Sequence, residues 1–182
     1  MSGGEYSYAR YLDGDDDGLV ELIREYKDGL IFYINGIVSD FGTAEELTED
    51  TFLRLVTKRP KYNGKASFKT WIYTIAHNIA VDWVRRHRRT VSLDESLPAD
   101  DEESLERSYI RSERDMALRR AMRKLTSEQR QAIWLVYFEG MSCRDAAAVM
   151  GKSTHAVESL LSRARSALGE ILEKEGFRYE DM

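Results

Sequence analysis

The chain has 182 residues, 42% hydrophobic and 32% charged, with a mean hydropathy of -0.51, room for one compact domain or two small ones. It has neither an apolar run long enough to span a bilayer nor an apolar leader, so no direct membrane insertion is expected and the cytoplasm is the default compartment. One cysteine, Cys143, and three scattered histidines (His77, His87, His155) provide no disulfide, zinc cluster or catalytic set, and no glycine-rich phosphate loop is present; an enzyme, a cofactor, a metal site and a small-molecule substrate are therefore all unexpected.

The net charge of -5 conceals strong segregation. Residues 13–50 hold twelve acidic groups against two basic ones, whereas residues 54–89 hold ten basic groups and a single acid, Asp82. Residues 90–117 return to nine acidic against three basic. A basic tract of this density is the electrostatic footprint of a nucleic-acid contact.

Apolar residues recur near the 3.6-residue period in every long segment and no alternating strand with a hairpin turn is found, so the expected fold class is all-α. The first helix is expected over residues 17–37, with Leu19, Ile23, Tyr26, Leu30, Ile34 and Val38 inward. Thr43 and Glu46 have capping-box spacing and mark the start of a second, which ends before Pro60 and turns Leu47, Phe52, Leu55 and Val56 inward. Ser67 can cap a third, running from Phe68 to about Arg88. Residues 92–104, SLDESLPADDEES, are too acidic and too poor in large apolar groups to pack. The expected organisation is thus a helical domain over residues 1–90, an acidic linker over 91–111 and a second helical domain over 112–182. In that second domain one helix ends at Lys124, Thr126 with Gln129 starts the next, and Ser142 with Asp145 starts a helix-turn-helix whose last helix begins at Thr154.

Three surfaces carry the functional reading. The second helix sets Glu45, Glu46, Glu49 and Asp50 beside Leu47, Phe52 and Leu53, a combination suited to a basic protein surface. The third begins after a glycine loop (residues 63–68) and ends in Arg85, Arg86, His87, Arg88 and Arg89, with Trp71, Asn78, Asp82 and Arg85 on one face. Phosphate neutralisation beside aromatic surfaces is what a melted strand needs. Along the last helix Val157, Leu161, Ala164 and Leu168 form an apolar stripe, opposite His155, Ser159, Ser162 and Ser166, with Glu158, Arg163 and Arg165 at the flanks. Short polar groups edged by arginine suit a major groove.

Residues 43–89, TAEELTEDTFLRLVTKRPKYNGKASFKTWIYTIAHNIAVDWVRRHRR, resemble the second region of bacterial RNA polymerase sigma factors of the extracytoplasmic-function (ECF) group. Leu-Thr-x-x-Gln-Arg, Tyr-Phe-Glu-Gly-Met-Ser and Ser-Arg-Ala-Arg, in that order between residues 125 and 165, resemble that family's fourth region. The resemblance implies two small helical domains, no catalysis, and three kinds of partner: core RNA polymerase through its β′ clamp and β flap, promoter DNA, and a cognate anti-sigma factor. It places Glu45, Glu46, Leu47, Thr48, Glu49, Asp50, Phe52 and Leu53 against the clamp. Asn63, Gly64, Lys65, Ala66, Ser67 and Phe68, with Lys69, Trp71, Asn78, Arg85, Arg86 and Arg88, fall to the -10 element and its flipped base. Ser153, Thr154, His155, Glu158, Ser159, Ser162, Arg163 and Arg165 fall to the -35 element. Relatives commonly carry basic residues at Glu158 and Leu160 and a larger one at Ser162, so the resemblance does not fix the -35 preference. A stand-alone helix-turn-helix regulator is the alternative.

Overall fold

The computed structural model describes residues 3–90, 118 and 120–174, with side chains up to His87 in the first stretch. The expected linker, residues 91–111, lies outside them. Among the described residues every regular element is helical: α1 (Gly3–Leu12), α2 (Asp17–Val38), α3 (Phe41–Lys58), α4 (Phe68–Thr90), α5 (Ser127–Ile133), α6 (Cys143–Met150) and α7 (Thr154–Lys174). α5 runs on into one wide turn over Trp134–Phe138, in which the Glu139 N–H reaches back to the Trp134 carbonyl at 3.0 Å.

The first four helices form one bundle. The wholly buried side chains of α2 are Leu22, Leu30, Ile31, Tyr33 and Ile34, joined by Tyr26; Leu19, Ile23 and Val38 are only partly covered. The apolar stripe of α2 is therefore rotated from the one the sequence suggests, because α1 covers a second side of the helix. No helix was expected before residue 17, yet α1 buries Tyr8 and Tyr11 and docks closely: a Cβ on Gly4 would meet the Tyr26 hydroxyl at 2.5 Å and the Phe68 ring at 2.6 Å. α3 begins two residues before Thr43. Asp40 is its cap, accepting from the Thr43 N–H at 2.6 Å, so a carboxylate does the work assigned to the Thr43 hydroxyl.

The second bundle follows its chemical markers. Thr126 and Gln129 form the reciprocal capping box, and Ser142 caps α6 by accepting from the Asp145 N–H at 3.1 Å. Gly151, at φ +62°, closes α6 in the left-handed conformation that lets α7 turn away. The two bundles touch along one seam. Ser127 donates to the Gly36 carbonyl at 2.8 Å, Arg130 donates to that carbonyl and to Ser39 Oγ, and Phe32 stacks obliquely on Trp134 at 5.3 Å. Gly29 sits where the seam is tightest, since a Cβ there would strike the Tyr73 hydroxyl and lie 2.5 Å from a Glu139 carboxylate oxygen.

Candidate docking and nucleic-acid surfaces

The first surface is a groove of about 590 Å³ between α2 and α3, lined by Leu19, Ile23, Glu46, Glu49, Asp50, Phe52, Leu53 and Val56. Leu53 is 54% exposed and Val56 is exposed too, beside the carboxylates of Glu46, Glu49 and Asp50. Of the eight residues assigned to this face, five line the groove. Leu47 and Thr48 are buried beneath it, Thr48 bonding its hydroxyl to the Ala44 carbonyl at 2.8 Å, and Glu45 is half-buried. Leu19, Ile23 and Val56 were read as core. Their partial exposure follows from how the helices pack on one another, which no helical period encodes.

The second surface is the 61–67 loop and the α4 face that follows it. Asn63 Oδ1 accepts from the Lys65 N–H at 3.1 Å, and Gly64 takes φ +69°, which makes a tight turn with Asn63, Gly64 and Lys65 exposed. Tyr62 closes the loop by donating to the Ala66 carbonyl at 2.5 Å, and Ser67 caps α4, accepting from the Thr70 N–H at 3.1 Å. Beneath lies an aromatic floor. Phe68 is 0% exposed and is ringed by Tyr8, Tyr62 and Trp71 at centroid distances of 5.6, 5.5 and 5.2 Å. Phe68 therefore supports the loop from inside and offers DNA no side chain, whereas Trp71 stays half-exposed at its edge.

Along α4, Trp71, Asn78, Asp82 and Arg85 fall within about 60° on the helical wheel and reach about 27 Å from Ser67. Asn78, Asp82, Arg85, Arg86 and His87 are exposed; Asp82 pairs with Arg85 at 3.4 Å, and His87 stacks on Trp83 at 3.9 Å. The Arg88 side chain lies outside the described ones. Lys69 leaves this face. It stands about 160° from Trp71 around the helix, and its ammonium reaches the Glu139 carboxylate at 3.3 Å and the Glu139 carbonyl at 3.1 Å across the seam. His77 also points inward, where its Nδ1 lies 2.9 Å from the Tyr33 hydroxyl; burial, aided by Lys152, holds its pKa below the ordinary value.

The third surface is α7. Val157, Leu160, Leu161 and Ala164 are buried against the rest of the second bundle, and Ser153, Thr154, His155, Glu158, Ser162, Arg163 and Arg165 are exposed, with Ser159 half-exposed. Ser153 caps the helix by accepting from the Ala156 N–H at 3.1 Å. All eight residues assigned to the -35 element thus share an open face or its edge. Cys143 is half-buried in the first turn of α6.

Comparison with known proteins agrees with this division. The sigma-70 region 2 model matches residues 22–90 and the sigma-70 region 4 model matches residues 115–168. The chain is 35% identical over 164 residues to the ECF RNA polymerase sigma factor BldN of Streptomyces coelicolor, covering 87% of this chain and 62% of that one. It is 30% identical over 171 residues to the RNA polymerase sigma-H factor of Pseudomonas aeruginosa, covering 88% and 89% respectively. Its fold matches the sigma factor RpoE of Bartonella quintana, solved in complex with the anti-sigma factor NepR, with a TM-score of 0.69 and 26% identity over 87% of this chain and 98% of that one. The first bundle is a region 2 domain, the second a region 4 domain, and the chain belongs to the ECF group of sigma-70 family RNA polymerase sigma factors.

Proposed function

We propose that this chain binds core RNA polymerase and directs promoter-specific transcription initiation, with each surface taking one task. The α2–α3 groove docks on the β′ clamp: its exposed Leu53 and Val56 supply apolar burial, while Glu46, Glu49 and Asp50 select a basic partner surface. The 61–67 loop captures a flipped base of the -10 element. The α4 face from Asn78 to Arg86 then holds the separated strand, so that recognition and melting share one site. α7 reads the -35 element in the major groove, and its domain contacts the β flap. A cognate anti-sigma factor is assigned by likeness to the Bartonella complex. Among the described residues no helix is long and apolar enough to cross a membrane.

The observation that carries this reading is that the acidic, apolar groove and the arginine-ended α4 face share no residue within one small bundle. A regulator acting on duplex DNA alone has no use for the groove. The test is transcription from a fragmented genomic library by purified bacterial core polymerase with and without the chain. New start sites that require the chain are expected. Absence of core association, with sequence-specific duplex binding by the chain alone, would replace this reading with that of a stand-alone regulator.

A further inference from the structure

The region 2 match begins at residue 22, which leaves α1 without an assigned role. Yet α1 is pinned. Its Ser7 hydroxyl donates to a Glu21 carboxylate oxygen at 2.6 Å, Arg10 bonds Asp15 and Glu21 at 2.8 Å each, and Gly18 leaves space for the Ser7 carbonyl where a Cβ would collide with it. What this anchoring holds in place is the start of the 61–67 loop. Tyr8, 2% exposed, donates its hydroxyl to the Pro60 carbonyl at 2.8 Å. Its ring meets Phe68 at 5.6 Å and Trp71 at 5.4 Å, and Trp71 meets Tyr62 at 5.3 Å. Tyr11 lies under the Arg59 guanidinium at 5.5 Å, where Arg59 closes α3 in the left-handed capping conformation, its N–H bonded to the Leu55 carbonyl. Two tyrosines one turn apart on α1 thus grip two successive residues, Arg59 and Pro60, at the corner from which the loop departs.

We propose that α1 is a positioning element for base capture and that Tyr8 is its positioning residue, fixing the corner and the aromatic floor so that the loop holds its shape before DNA arrives. The inference rests on the reading of that loop as the -10 capture site. Preorganisation matters here because a loop that must order itself around a flipped base loses affinity to the cost of that ordering. The hydroxyl contributes through the Pro60 carbonyl, and the ring through Phe68 and Trp71.

The experiment uses holoenzyme assembled from the full chain and core polymerase on two promoters that differ only at the captured position, one with the base and one abasic. The readout is the ratio of open complexes formed. Tyr8→Phe keeps the ring and removes the hydroxyl, and is expected to lower that ratio by about five-fold, on the scale of one hydrogen bond, with core affinity unchanged. Amide hydrogen exchange in residues 61–67 of the unbound chain should quicken in parallel. Arg10→Gln loosens α1 from α2 without touching the floor, and should act in the same direction more weakly, which keeps the test open if Tyr8→Phe fails to fold. A Tyr8→Phe protein that keeps the wild-type ratio, or that loses both promoters equally, overturns the proposal. Failure of the wild-type holoenzyme to distinguish the two promoters would instead overturn the capture reading itself.

Discussion

Region 4 makes its exposed polar surface from one helix, whereas region 2 builds its groove from two consecutive helices and its loop from pieces more than fifty residues apart. On α7 the exposed residues and those that face the core alternate at the helical period, so each side chain's place follows from its position on one element. The region 2 groove needs α2 and α3, and its loop needs α1, α3 and α4. Substitutions in region 4 should therefore separate binding from stability cleanly. In region 2 the two are entangled through the aromatic floor.

The largest effect expected from this difference is that of Phe68→Ala, which empties the centre of the floor. Removing a wholly buried phenylalanine should cost about 3–5 kcal/mol of region 2 stability, read as a shift in the urea midpoint. Ser162→Ala and Arg163→Ala on α7 should change stability by no more than about 0.5 kcal/mol. Equal costs in the two places would erase the distinction.

Next in size is the split within region 2. Leu53→Asp, at the exposed lip of the groove, should weaken core polymerase binding by about 30-fold, as an interface anchor does, and leave capture of a pre-melted -10 strand intact once the holoenzyme is driven together at high concentration. Arg85→Ala with Arg86→Ala should do the reverse, impairing promoter opening and reducing its salt dependence while core affinity holds. If both variants lose only core affinity, the α4 face has no separate task.

About tenfold is expected for Arg165→Ala, measured as holoenzyme affinity for promoter duplex at fixed salt, with the loss confined to promoters carrying the -35 element. A uniform loss on all DNA would make Arg165 a phosphate contact instead.

The same contrast explains what the sequence could show. The capping pairs Thr126 with Gln129 and Ser142 with Asp145, and the polar face of α7, involve residues at most a turn or two apart, and local spacing is what a single chain displays. The all-α class and the helix boundaries from α4 onward were legible for that reason. α1 was not: its run of Gly, Ser and Tyr has little helix propensity, and it is held by Phe68 and Pro60 more than fifty residues away. With α1 packed on α2, Leu22 is buried beside the expected Tyr26, and Leu19 and Ile23 line the groove. Lys69 misled in another way. Composition puts it in the basic tract, but its position on the wheel sends it to Glu139, away from the arginines.

That ion pair tests whether the two regions support one another. Lys69 and Glu139 are both partly shielded, with side chains 37% and 14% exposed, and they belong to different bundles. Lys69→Met retains the stem and removes the charge. It should cost about 1 kcal/mol or less and lose that effect in high salt, with no change in the strength of -10 strand binding. A large loss of strand binding would return Lys69 to the DNA face.

The smallest expected effect concerns His77, which joins α4 to α2 within region 2 and feels region 4 through Lys152. Burial keeps its folded pKa below the ordinary 6.5, and its Nδ1 shares a 2.9 Å hydrogen bond with the Tyr33 hydroxyl. The unfolded chain therefore takes up the proton first as pH falls. Stability should be highest above the unfolded pKa, decline as pH drops through 6.5 and level off only below the folded pKa. His77→Gln keeps a hydrogen-bonding group for Tyr33 and cannot titrate, so its urea midpoint should flatten across that range while the parent's falls. Lys152→Ala removes the lesser of the two causes and should raise the His77 pKa part of the way, visible in an imidazole titration by NMR. Region 4 would then be shown to act on a region 2 side chain through its charge, whereas an unmoved titration would leave burial between α2 and α4 as the whole cause.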